Sequence, residues 1–159
     1  MEKFFEVLMG NGNVWAILGA ALAFLLAGMG SSKGVGIAGQ AAAGVVTEDP
    51  DKFVPVMILE ALPSTQGIYG FVTAFMILGK LTGTPLSIEN GLFLFAAALP
   101  TALVGYFSGV AQGKVSAAGI GIVAKRPGEM VKGVILALMV EVFAIFGLLV
   151  SILMIGKVA

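Results

Sequence analysis

The sequence predicts an all-α membrane protein: four transmembrane helices, built as two tandem duplicated helical hairpins and assembling into a ring. Three observations carry this. The 159 residues are 58% hydrophobic and 11% charged, with mean hydropathy +1.05, whereas a soluble domain carries about 25% charged residues. Four apolar stretches are each long enough to cross a bilayer, which takes about 20 residues. Segments of the first half also recur in the second, and internal repeats take priority over local motifs.

The first span runs over about 14–46, the second over 53–78, the third over about 88–124 and the fourth over about 131–155. The breaks are Thr47-Glu48-Asp49-Pro50-Asp51, Gly79 to Pro85, and Lys125-Arg126-Pro127-Gly128. Each combines Gly or Pro with polar residues, as turns require. The chain therefore divides into a first hairpin, 1–82, and a second, 83–159. Spans one and three are longer than a bilayer needs: at 1.5 Å per residue, about 33 residues reach about 50 Å. Their surplus is expected to project at the end carrying Lys33 and Lys114. The opening segment MEKFFEVLMGNGN lacks the basic start, apolar core and small-residue cleavage site of a signal peptide.

Charge orients the bundle. Lys33, Lys52, Lys114, Lys125, Arg126 and Lys132 cluster about the first and third loops, against Lys3, Lys80 and Lys157 at the other side. The positive-inside rule then places those two loops in the cytoplasm and both termini outside. Net charge is zero, so no basic face speaks for a nucleic-acid partner. The absence of Cys and His removes thiolate nucleophiles, disulfides, Cys/His zinc sites and His-based triads.

The repeat is read from two registers. Ala27-Gly28-Met29-Gly30-Ser31-Ser32-Lys33 aligns with Ser108-Gly109-Val110-Ala111-Gln112-Gly113-Lys114 at an offset of 81, while Pro50 with Pro127 and Gly70 with Gly147 give 77. This predicts four extra residues in the first half, near its turn. It pairs Glu141 with Ser64 and Gln112 with Ser31, so one carboxylate serves two hairpins. Gly28, Gly30, Gly34 and Gly36 on span one, and Gly105, Gly109 and Gly113 on span three, predict close helix packing. Bulky residues such as Phe71, Phe75, Phe143 and Phe146 fall on spans two and four. That suggests small-residue helices inside a ring and bulky ones outside, against lipid.

Glu141 is the only acid between Met130 and Ile155. A carboxylate at bilayer depth costs a few kcal/mol even on the mildest scale, and such groups mark ion or proton sites by default; a structural carboxyl hydrogen-bonded between helices is the alternative. Measured from the first and third loops, Glu141, Thr65, Gln66 and Gln112 all lie about 18–20 Å deep. Carboxylate, amide, hydroxyl and backbone carbonyl are oxygen donors suited to a small hard cation. Pro63 removes the hydrogen bond that Leu59 would receive. It either turns a carbonyl near Leu62 outward as a ligand or simply kinks the helix. Tyr69 shares the face of Thr65 and Gln66; it is placed to donate to Glu141, the alternative being an interfacial anchor. Glu60 lies about 10 Å deep, as a headgroup-level residue, a partner of Lys33 or Lys52, or part of an ion path.

The runs Leu62-Pro63-Ser64-Thr65-Gln66-Gly67-Ile68-Tyr69-Gly70, Ser108-Gly109-Val110-Ala111-Gln112-Gly113-Lys114 and Val140-Glu141-Val142 resemble the four-helix proteolipid, of the K or c type, of bacterial and archaeal V-type rotary ATPases. The resemblance covers essentially the whole chain. It implies a homo-oligomeric rotor ring in a bacterial cell membrane, turning against a stator subunit with an Arg. Central-stalk subunits on the cytoplasmic side would couple that rotation to ATP turnover in a soluble head. In sodium-carrying members the ligands are a Leu carbonyl, a Thr hydroxyl, two Gln amides and a Glu. These fall on Leu62, Thr65, Gln66, Gln112 and Glu141, with Tyr69 as the hydrogen-bonding Tyr. Na⁺ is thus the implied cargo, H⁺ the alternative, and no organic cofactor is expected. Ser64, where Gly is equally familiar, and Glu60 are departures. A non-transporting scaffold or pore ring is the reading from another class. No Gly-x-x-x-x-Gly-Lys-Ser/Thr motif is present, so the chain is not an ATPase on its own.

Overall fold

A computed structural model describes Met1 and residues 10–158. Lys3 and the start of the first hairpin, used above for orientation, lie outside the described residues, as does the last residue of the second hairpin. The helices are α1 (Gly12–Glu48), α2 (Phe53–Ala61), α3 (Thr65–Leu78), α4 (Ile88–Lys125) and α5 (Met130–Ile155). Short 3₁₀ turns precede α2, α3 and α5, at Pro50–Lys52, Leu62–Ser64 and Pro127–Glu129. Four spans are long and apolar enough to cross a membrane: Gly12–Glu48, Pro50–Leu78, Ile88–Lys125 and Pro127–Ile155. They coincide with the four expected from hydropathy. The second is not one helix, because Pro63 lacks an N–H and breaks it into α2 and α3.

The helix ends follow local chemistry. The Asn11 side chain accepts from the Asn13 N–H at 2.9 Å, and Ser87 Oγ accepts from the Asn90 N–H at 3.2 Å, satisfying N–H groups that a first turn leaves free. α1 and α4 end on extended residues, Asp49 and Arg126, each followed by a Pro that opens the next turn, where its missing N–H costs nothing. Lys52 Nζ bridges the two loops on this side: it pairs with Asp49 at 3.2 Å and donates to the Ala124 carbonyl at 2.8 Å.

α1 and α4 touch backbone to backbone. A Cβ on Gly19 would stand 2.8 Å from Phe95 Cα, one on Gly30 2.6 Å from Tyr106 Cα, and one on Gly109 2.7 Å from the Gly30 carbonyl carbon. A Cβ on Gly113 would overlap Gly34 outright. The expected small-residue ladder is therefore the central contact of the bundle. Bulky residues are not confined to spans two and four. Ile17, Phe24 and Leu25 on α1, and Leu103 and Phe107 on α4, are exposed on faces turned away from the contact. Two apolar clusters fill the interior. One joins Ala20, Ile77, Leu94 and Ile155 near the Gly79–Pro85 loop, and the other joins Ala38, Leu59, Ile120 and Val123 near the Lys52 loops.

The contacts correct the register of the repeat. Parallel repeats place equivalent residues at equal depth. The touching pairs Gly19–Phe95, Gly30–Tyr106, Gly34–Gly109, Ala27–Gly105 and Gly34–Gly113 differ by 75 to 79. α1 and α4 end at Glu48 and Lys125, an offset of 77. The offset is thus 77 throughout, and no four-residue insertion exists. Ser31 corresponds to Ser108, and Gln112 to Val35. The physical reason is the ladder itself: glycines four apart align almost equally well after a slip of one helical turn. Ser64 remains the counterpart of Glu141.

Gly113 and Gly121 separate the two effects of glycine in α4. Gly113→Ala drives a methyl into the α1 backbone and is expected to cost about 1–3 kcal/mol. Gly121, with open space around its Cβ position, gains helix propensity when changed to Ala, by up to about 1 kcal/mol. Loss of helical circular dichroism on heating in detergent should move in opposite directions for the two variants.

Candidate ion-binding site

Between the two apolar clusters lies one polar layer. Glu141, on α5, is 7% exposed, while Gln66 on α3 and Gln112 on α4 are fully buried. Tyr69 Oη donates to Glu141 Oε1 at 2.6 Å, and Gln112 Nε2 donates to Glu141 Oε2 at 3.3 Å. Gln112 Oε1 accepts from Gln66 Nε2 at 2.5 Å. Gln66 Oε1 lies 3.5 Å from Thr65 Oγ1, which in turn lies 3.2 Å from the Leu62 carbonyl oxygen. One continuous chain therefore runs from Leu62 through Thr65, Gln66 and Gln112 to Glu141. The equal depth deduced from loop distances is what lets residues of three helices meet.

Pro63 contributes through the backbone. Its break forces the tight turn in which the Leu62 carbonyl accepts the Thr65 N–H, three residues on rather than four. This sets the Leu62 oxygen beside the Thr65 hydroxyl. The Pro63 ring packs against Gly34 of α1. The break also frees the Gly67 N–H, which donates to Ser31 Oγ at 2.8 Å, so α1 holds the start of α3 in place. Glu60 is not part of this layer. Its carboxyl lies over Gly39, where a Cβ would be 2.8 Å away. Neither proposed lysine reaches it: Lys33 Nζ donates to Tyr106 Oη at 2.8 Å, and Lys52 is held by Asp49 and Ala124.

Sequence reasoning missed a second polar group two to three turns further from the Lys52 loops. Thr73 Oγ1 donates to the Tyr69 carbonyl at 2.9 Å and lies 3.1 Å from Thr101 Oγ1. Thr101 Oγ1 is 2.8 Å from Ser151 Oγ, and the Thr101 N–H also donates to Ser151 Oγ at 3.2 Å. All three side chains are essentially inaccessible. A lone hydroxyl in an apolar helix can bond its own backbone, so nothing in the sequence separates these three from ordinary ones. Pro100, inside α4, was the available signal, since a helical Pro loosens the ladder beside it.

The layer holds oxygen donors of four kinds around one carboxylate. Hard cations take such oxygens, at about 2.3–2.6 Å in the case of Ca²⁺. Among the described residues no group of three His, Cys, Asp or Glu could hold a metal ion. A single carboxylate among neutral oxygens balances one positive charge, which suits a monovalent cation or a proton better than a divalent metal.

Fold and site together define a duplicated-hairpin membrane proteolipid with, among the described residues, one buried carboxylate per four spans. The chain belongs to the ATP synthase C-subunit family, whose pattern matches residues 18–77 and again 95–154, one match per hairpin and in the 77-residue register. It is similar to the K subunit of the V-type sodium ATPase of Enterococcus hirae, 49% identical over 149 residues, which is 94% of this chain and 95% of that one. The K subunit of the A-type ATP synthase of Methanocaldococcus jannaschii is 42% identical over 138 residues, 86% of this chain and 60% of that one. The 16 kDa proteolipid of the human V-type proton ATPase is 26% identical over 143 residues, 90% of this chain and 92% of that one. The chain is thus a membrane proteolipid of the family that supplies subunits to V-type and A-type ATPases and ATP synthases.

Thr101→Val leaves the Ser151 and Thr73 hydroxyls short of a partner in a fully buried place. It is expected to cost about 1–3 kcal/mol in reversible denaturant unfolding in detergent, whereas Thr101→Ser keeps the hydroxyl and should recover most of that loss.

Proposed function

We propose that this protein is a rotor-ring subunit that binds one Na⁺ at Glu141 and carries it past a stator as the ring turns. One observation supports this above the rest: a single buried carboxylate shares one layer with the Gln112, Gln66, Thr65 and Leu62 oxygens. The Leu62 and Gln66 oxygens each lie within 3.5 Å of Thr65 Oγ1, close to the edge expected between oxygens about 2.4 Å from a shared cation. The E. hirae relative is named as part of a sodium ATPase, which favours Na⁺ for this chain.

In this reading Tyr69 holds Glu141 Oε1, leaving the carboxylate charged and oriented for the ion. The Gln112 carboxamide turns about its terminal torsion, which is soft, to offer its oxygen to Na⁺ in place of the Gln66 amide. Leu62, Thr65 and Gln66 then replace water oxygens. The loaded site is neutral overall, so it can pass through lipid. At the stator an Arg competes with the cation for Glu141 and releases it to an aqueous path. Binding must be strong enough to load and weak enough to release. The Lys52 and Lys125 loops face the cytoplasm and the central stalk, the termini face outward, and the hairpin boundary falls at 82/83. Rotation is driven by, or drives, ATP turnover in a separate soluble head.

A proton can occupy the same carboxylate, and carbodiimide labelling separates the two cargoes. These reagents consume the protonated carboxyl. Na⁺ is expected to protect Glu141 at neutral and mildly alkaline pH. Because H⁺ and Na⁺ compete for one group, the Na⁺ needed for half-protection should rise up to tenfold for each pH unit of acidification. Labelling that ignores Na⁺ across that range leaves the proton reading in its place. Gln112→Ala removes one oxygen and one donor, a loss of about 1–3 kcal/mol. It should raise the Na⁺ required for protection by about 5- to 150-fold, and Glu141→Gln should abolish both labelling and ATP-driven transport.

A further inference from the structure

The helices α4 and α5 meet along a regular antiparallel seam. Gln112 Nε2 donates to Glu141 Oε2 at 3.3 Å. About two turns nearer the Lys52 loops, Gly119 and Gly133 touch: a Cβ on Gly119 would stand 3.1 Å from Gly133 Cα, and one on Gly133 3.0 Å from Gly119 Cα. Between these two contacts the register sets Ser116 opposite Ala137, and both are fully buried. No protein group lies within hydrogen-bonding distance of Ser116 Oγ, and it is the one buried side-chain oxygen or nitrogen so placed among the described residues. A buried hydroxyl is costly without a partner, and where the protein offers none an ordered water serves.

Two further observations locate that partner. Helical side chains lean toward the N-terminus of their own helix, so Glu141 leans along α5 toward Ala137 and hence toward Ser116. A carboxylate accepts about four hydrogen bonds; this one receives a short bond at Oε1 from Tyr69, 2.6 Å, and a long one at Oε2 from Gln112, 3.3 Å. Oε2 is thus short of a donor on the side where Ser116 is short of a partner. Residues one turn apart are separated by about 5–6 Å at Cβ, a span that two hydrogen bonds through one oxygen bridge. The repeat indicates the size of the place. The equivalents of Ser116 and Ala137, 77 residues earlier, are Gly39 and Glu60, and there the Glu60 carboxyl lies 2.8 Å from the Gly39 Cβ position. The first hairpin seats a carboxyl group at this level, where the second brings only a hydroxyl and a methyl.

We infer that Ser116 Oγ holds one water molecule over Ala137, and that this water donates a hydrogen bond to Glu141 Oε2. Its place follows from the seam; its role rests on the sodium reading above. In that reading Gln112 turns its oxygen to the cation and so withdraws its N–H from Oε2. The water then takes over as donor and keeps the carboxylate oriented while the cation is bound. Ser116 is a positioning residue for the ion site, acting through the water and touching neither the cation nor Glu141.

Infrared spectroscopy of the full-length protein tests the water, and carbodiimide labelling of Glu141 at one fixed pH tests its role. The spectrum of the unaltered protein minus that of Ser116→Ala is expected to show a water O–H band that moves in heavy-oxygen water. Ser116→Thr, which keeps the hydroxyl, should retain that band. Ser116→Ala should raise the Na⁺ needed for half-protection of Glu141 by about 2- to 10-fold, the loss of one water-mediated hydrogen bond, and Ser116→Thr should recover most of that loss. If no band moves with the isotope, and Ser116→Ala resists denaturant better than the unaltered protein, as removal of an unpartnered hydroxyl would make it, the water is absent and the inference is overturned. If the band is present but Ser116→Ala needs no more Na⁺, the positioning role is overturned. If labelling of the unaltered protein ignores Na⁺, the sodium reading falls, and the isotope-sensitive band still decides whether the water is there.

Discussion

Where α1 crosses α4 no side chain separates the two backbones. Gly19, Gly30, Gly34, Gly109 and Gly113 allow the approach, and each gives up about 1 kcal/mol of helix propensity relative to Ala. In return the two long helices form a core narrow enough for α3 and α5 to reach across it. Gln66 and Glu141 then meet at Gln112, on the α4 face adjoining this contact. A single Cβ at Gly113 would push α1 away and, with it, Ser31, which holds the first turn of α3. The geometry of the polar layer thus depends on glycines that make no polar contact themselves.

Within that frame, a carboxylate is made tolerable by donors rather than by a countercharge. Tyr69 and Gln112 donate to Glu141, and the hydroxyl group around Thr101 keeps α3, α4 and α5 in step two to three turns away. No Lys or Arg joins this layer among the described residues. A built-in cation would neutralise Glu141 permanently. In the proposed function, the absence of a built-in cation is what leaves room for an exchangeable one.

Much of this was legible in the residues. Mean hydropathy and turn chemistry located the spans, because lipid demands long apolar helices and turns need Gly, Pro and polar groups. Loop distances placed Glu141, Gln112, Gln66 and Thr65 at one depth, because helix rise is constant. The register of the repeat was misread for α1, since a ladder of small residues looks alike after one turn; contacts between backbones resolved it. Glu60 likewise is reached by neither Lys33 nor Lys52, because proximity along helices says nothing about which face each side chain takes. Thr73, Thr101 and Ser151 carried no signal of their own, as a hydroxyl in an apolar helix can bond its own chain; only Pro100, beside Thr101, marked the place.

The sequence by itself determined that this is a four-span duplicated proteolipid with one deep carboxylate, because span length, polarity and rise along a helix are local properties. Only the tertiary structure decided that the carboxylate is held by Tyr69 and Gln112, that the Pro63 break sets the Leu62 oxygen beside Thr65, and that the halves match at 77. Those outcomes depend on helix rotation and on how closely backbones approach, which residues fix jointly through packing and not one at a time.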